Sequence, residues 1–383
     1  MIINNIKFNH LILPAVFVFT LTACEKDEED DIKPVVNEVS TPATYSFDRN
    51  GASSVSYSGQ TERLNQLDEL KAKLLIADGG SQVQAADLLA MFANTGGNGN
   101  GNFSFTSTKQ LEDKTFGPDV AYFQDYINKT ATASIDGANN VVASNGTAGL
   151  LTRSNNNIIL VDENGMEFTQ AIEKGLMGAT FFYQMANVYT TADKIGADVN
   201  NTEMVNGQNY TTLEHHFDEA FGYFGAPVDF RANYNGSEPV RFWAKYANSL
   251  EANSRLSDPL MNAFKKGRQA IVENRRDVLN EQVIIINQQL ERLIAACSIH
   301  YVNKSLSISN TGDRLHYLSE LYAFTRALRF AHPSFRKYNI TEVDNLISTN
   351  IGTNLWDVTP QGLNTLKNEL SNTYNFNSVK DAL

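Results

Sequence analysis

An all-α fold with a short β-like entry is what this sequence predicts, and three observations predict it. The clearest is a row of apolar residues at spacings of three and four, Leu279, Val283, Ile286, Leu290, Leu293, Ile294, Cys297 and Tyr301, which a helix gathers onto one face. The second is a succession of further segments of helical period, separated by short turn signals. The third is that strand-like alternation is weak and local: Tyr45-Ser46-Phe47 and Val55-Ser56-Tyr57 flank Asn50-Gly51, a hairpin dipeptide.

Taken in order, Leu64, Leu67, Leu70, Leu74 and Leu75 form an apolar stripe that stops at Asp78-Gly79-Gly80. A second helix is expected over 81–92, followed by the Gly/Asn-rich stretch 94–102, which lacks the carboxylates of a calcium loop and reads as a flexible connector. A helix over 117–134 precedes irregular or short-strand chain over 138–159 and a turn at Asp162-Glu163-Asn164-Gly165. The long helix expected over 166–190 carries Gly175, Gly178 and Ala179, small residues that let a second helix approach closely. Further helices are expected over 211–224, 239–256, 259–272, 274–304, 313–331, 341–349 and 359–374. Cys297 lies on the apolar face and reads as a small buried hydrophobe.

The N-terminus has a different character. Lys7 is followed by the apolar run Leu11 to Leu21 and by Leu21-Thr22-Ala23-Cys24, a lipobox; the run is too short for a permanent span and reads as a signal peptide over 1–23. Cys24 is then the acylated first residue of a mature lipoprotein, anchored to a membrane by several chains together. Six carboxylates occupy the seven residues from Glu25 to Asp31, so 24–44 reads as an acidic, solvated tether ahead of a folded domain over 45–383. The tether resembles the acidic surface-export signal of lipoproteins in Bacteroidota-type bacteria, which implies an outer-membrane protein facing outward. Of the net charge of −12, about −8 belongs to the folded part, which argues against a nucleic-acid partner. With Cys24 acylated, Cys297 has no partner for an intrachain disulfide.

Two groups of histidines and carboxylates are the candidates for chemistry. His215, Glu219 and Tyr223 stand at successive i, i+4 positions, and His316, Glu320 and Phe324 repeat that spacing, which suggests two structurally related halves. An imidazole and a carboxylate one turn apart are also how helix bundles present ligands inward to iron, manganese or zinc, and two such helices face to face would supply four ligands. The plainer alternative is a pair of internal hydrogen bonds. His300 and His332 sit near helix ends and read as caps or dipole partners. The motifs His-Glu-x-x-His, Gly-x-Ser-x-Gly, Cys-x-x-Cys and a phosphate-binding Gly-rich loop are all missing from the sequence.

Several separated segments, Tyr45-Ser46-Phe47, VSYSGQTER from Val55, EFTQAIEKGLMGATFFYQ from Glu167, HFDEAFGYFG from His216 and HYLSE from His316, occur in an order that resembles the Bacteroidota lipoprotein family known as domain of unknown function 4856. The likeness covers nearly the whole mature chain. It implies similarity to imelysin-like proteins, helical envelope proteins of two bundle halves associated with iron acquisition, whose signature is Gly-x-His-x-x-Glu. Here His216 and Glu219 match the His and the Glu, while Glu214 stands at the Gly position. The resemblance thus implies iron or another divalent metal at His216 and Glu219, and a TonB-dependent receptor or other outer-membrane protein as partner. The expected function is ligand or metal binding for an iron- or haem-type uptake system, not catalysis. The alternatives are a metal-dependent, peptidase-like hydrolase and a purely structural surface lipoprotein.

Overall fold

The computed structural model describes residues 38–231 and 234–383; the expected signal peptide, Cys24 and most of the acidic tether lie outside the described residues. The packed body begins at Val39, which is already buried, ahead of the expected start at Tyr45. Among the described residues the chain forms twelve α-helices and two two-stranded antiparallel sheets.

The entry hairpin is real but small. β1 (Asp48–Arg49) and β2 (Ala52–Ser53) pair with Arg49 opposite Ala52, around Asn50 and Gly51 at φ 54° and 78°, the left-handed pair that this dipeptide tolerates. The ladder is shorter than the flanking alternation suggests because those flanks bond elsewhere. The Tyr45 N–H donates to the Val228 carbonyl and the Ser56 N–H to Asp218 Oδ2.

α1 (Ser58–Asp78) buries Leu64, Leu67, Leu70 and Leu74 and leaves Leu75 46 % exposed, so the stripe is one residue narrower than expected. After α2 (Ala85–Phe92), the Gly/Asn stretch is tied down by its own side chains: Asn94 Nδ2 donates to the Ser107 and Lys109 carbonyls, and Asn98 Oδ1 accepts from the Gly101 N–H. α3 (Val120–Ala138) leads to a second hairpin, β3 (Gly149–Thr152) and β4 (Ile158–Val161), which resolves the irregular or short-strand expectation in favour of strands.

α4 (Phe168–Leu176) is buried along its whole length and continues through two π-helical segments, Met177–Phe182 and Met185–Tyr189. Its small residues admit neighbours as expected. A Cβ at Gly175 would stand 2.7 Å from the Phe123 ring, and one at Gly178 would stand 2.6 Å from Ala327 Cβ. A short helix without a sequence signal, α5 (Ala192–Ile195), precedes α6 (Thr212–Phe224), which starts at a capping box of Thr211 and Glu214 and stops at Gly225, φ 81°. α7 (Phe242–Ser254), α8 (Ser257–Val272) and α9 (Arg276–Ser307) follow, and the predicted apolar face of α9 is buried throughout against α7, α8, α10 (Thr311–Ala327) and α12 (Pro360–Tyr374). α11 (Ile340–Asn350) packs on α10 and α12. No helix among the described residues is long and apolar enough to cross a membrane.

One arrangement occurs twice. The first hairpin feeds α1, which packs on α6; the second hairpin feeds α4, which packs on α10. α6 and α10 are the helices that carry the two His/Glu pairs.

Candidate functional site

Each pair is fixed by corresponding contacts. His215 Nδ1 lies 3.0 Å from the Ser56 carbonyl, and the Ser56 N–H donates to Asp218, three residues beyond His215. His316 Nδ1 lies 2.7 Å from Glu167 Oε2, and the Glu167 N–H donates to Ser319, three residues beyond His316. Ser56 and Glu167 both sit at the junction between a hairpin and the helix it feeds. Each hairpin also sends an arginine to the opening of the second helix: Arg49 grips Glu214 with two parallel bonds of 2.8 Å, and Arg153 meets Asp313 at 2.8 Å.

In the first half the imidazole and carboxylate are spent on internal partners. His215 stacks on Tyr210 and its Nε2 is 3.9 Å from Glu219, whose Oε1 accepts from Gln60 and from the Tyr189 hydroxyl. His216 turns away: its Nδ1 lies 2.7 Å from the Lys194 carbonyl, and burial pushes its pKa below the usual imidazole range. Among the described residues it makes no direct ion pair with Glu219. Glu214, at the position where Gly was expected, is instead a structural anchor between Arg49 and the fully buried Arg268. Arg268 also meets Asp218, whose pKa burial raises to about 6 against the pull of the guanidinium.

The second half is different. Both nitrogens of His316 face carboxylates, Glu167 at 2.7 Å and Glu320 at 3.5 Å. Glu320 is also met by the buried ammonium of Lys174 at 3.3 Å and by the Tyr246 hydroxyl at 3.4 Å. Lys174 is paired in addition with Glu173, which holds Lys71 at 2.8 Å. Burial alone would push the Lys174 pKa down, yet Glu173 and Glu320 raise it above the ordinary lysine value; the two lysines in turn hold Glu173 below the usual carboxylate range despite its burial. A lysine ammonium therefore supplies at Glu320 the positive charge that a divalent ion would bring.

The two pairs share none of these partners, and among the described residues no group of three or more His, Cys, Asp or Glu side chains is placed to hold a metal ion. The expected four-ligand centre from His215, Glu219, His316 and Glu320 is not formed. The physical reason is that each imidazole is already turned, through Nδ1, toward the hairpin junction of its own half.

The second pair lines an open cleft. A cavity of about 390 Å³ lies between α4, α7, α9 and α10, with Lys174, Glu320 and His316 in its wall. Tyr246, Tyr301 and Tyr317 give it an aromatic side, and Lys245 and Lys304 are exposed there. His300 is part of the same wall, one turn before Lys304; α9 runs on to Ser307, so this histidine is not the cap that the sequence suggested. His332 does act locally, accepting from the Ser334 N–H. Cys297 is buried beneath the cleft region, and burial pushes its thiol pKa well up, as suits an inert hydrophobe. No motif in the sequence points to Lys174, Lys245 or Lys304; Lys174 stands out only as part of the segment beginning at Glu167.

The fold and these contacts define a helical bundle in which a hairpin-fed helix is locked twice to a His/carboxylate helix. The family described as Domain of unknown function (DUF4856) matches residues 42–377, and the chain belongs to that family. No curated protein and no solved structure matches the chain.

Proposed function

We propose that this protein is a binding lipoprotein, held at the outer surface of the outer membrane through acylated Cys24, and that it serves as an accessory to an iron- or haem-type uptake system with a TonB-dependent receptor or another outer-membrane protein as partner. The lipobox, the acidic tether and the likeness to imelysin-like proteins support the location and the system. The observation that carries the binding role is the cleft beside Glu320: its buried groups, Lys174, Glu320 and His316, are held by one another, so it offers a preformed polar pocket of ligand size. The ligand in this reading is a complexed one, haem or a ferric chelate, because the donors do not converge on a bare ion.

Two experiments test the reading. Acyl labelling of cells should mark the wild-type chain and fail on Cys24→Ser, and protease added to intact cells should degrade the wild type. Calorimetric titration of the full mature chain with haem and with ferric citrate should give heat for at least one; no heat with either contradicts the binding role.

A further inference from the structure

The charges around the cleft do not all cancel. Lys71 and Lys174 are matched by Glu173 and Glu320, and His316 stands between Glu320 and Glu167. Lys245 on α7 and Lys304 on α9 line the same cavity, are exposed, and make no ion pair among the described residues. His300 stands with them, and its Nδ1 is buried with no hydrogen-bond partner. Two like charges at one mouth, beside an unsatisfied imidazole nitrogen, are an arrangement that an anion stabilises: it screens the lysines from each other and accepts hydrogen bonds from them. His300, Lys304 and Ser249 also border a second cavity of about 580 Å³, so a ligand held here has room to extend beyond the first cleft.

We infer that the mouth of this cleft, between Lys245, Lys304 and His300, is a subsite for an oxyanion, a carboxylate or phosphate carried by a small soluble ligand whose body lies against the tyrosine wall. The inference rests on the binding role proposed above and names the chemical group that is recognised. Ammonium groups suit both oxyanions as point charges. Because Lys245 and Lys304 are exposed, the subsite is sensitive to ionic strength.

The test uses the full mature chain, titrated with inorganic phosphate, with citrate and with phosphatidylglycerol vesicles, while the His300 imidazole signals are followed by NMR. Phosphate or citrate should bind and move the His300 signals. The doubly reversed Lys245→Glu/Lys304→Glu chain should bind at least about tenfold more weakly, with Lys129→Glu, on α3, as an unaffected charge control. Circular dichroism and melting temperature of the reversed chain establish that it is folded. Three results overturn the inference: no binding of either soluble oxyanion, binding that the double reversal leaves unchanged, or binding to vesicles alone. If haem or ferric citrate still binds a chain that ignores both simple oxyanions, the subsite is wrong and the binding role stands; silence toward every probe removes both.

Discussion

His316 Nδ1 lies 2.7 Å from Glu167 Oε2, and this contact ties α10 to the residue that opens α4. Glu167 is 1 % exposed, so the imidazole faces a carboxylate with almost no access to water. The equivalent tie in the other half, His215 to the Ser56 carbonyl at 3.0 Å, has a backbone oxygen as partner and lies at a more exposed position.

That difference sets the cost of losing each histidine. His316→Ala takes the imidazole from Glu167 Oε2 and leaves that buried carboxylate only its Gln170 bond, so it should destabilise by about 3 kcal/mol. His215→Ala removes a partly solvated hydrogen bond and should cost about 1 kcal/mol. Urea denaturation of both variants checks the order; equal losses would contradict the assignment of the second pair as the buried one.

Close approach at Gly178 gives a second expectation. The added methyl of Gly178→Ala would meet Ala327 Cβ at 2.6 Å, and overpacking of this kind costs about 1–3 kcal/mol. Ala327→Gly should recover part of that loss when combined with it, so a double-mutant cycle should show a favourable coupling; strict additivity would mean that the two helices do not touch there.

A third prediction concerns pH. Burial, with Glu167 nearby, raises the pKa of Asp78 from 3.8 to about 8, and its Oδ1 accepts the Leu160 N–H. The folded state then holds a proton that the unfolded chain has released between those values. The associated stability is fully present below the unfolded pKa and is lost as pH rises through about 8. Asp78→Asn mimics the protonated acid, so its melting temperature should fall less than that of wild type between about pH 5 and about pH 9. Parallel curves for the two proteins would show that Asp78 is not the group responsible.

Much of the fold is legible in the sequence because its signals are local. The Thr211–Glu214 box sets the start of α6, the three-and-four spacing from Leu279 sets the buried face of α9, and Asn50-Gly51 sets the first turn. The site is less legible because its partners are remote. Glu167 and His316 are 149 residues apart, and a periodic pattern gives the face a residue occupies, not what stands across from it. The repeated His-x3-Glu spacing did mark two related halves, but convergence of the pairs could not be read from it, since the direction of each imidazole is decided by Ser56 and Glu167, outside the motif. The second hairpin is legible only as irregular or short-strand chain, because residues 138–159 mix apolar and Asn-rich stretches with no clear alternation to set its register.

The two His/Glu pairs act as duplicated locks, satisfied within each half, and not as ligands of a shared metal. Metal analysis of the full mature chain after loading with ferrous iron or zinc and exhaustive dialysis tests this most directly, with Glu219→Gln and His316→Ala in parallel. None of the three should retain stoichiometric metal. One ion per wild-type chain, lost in both variants, would contradict it.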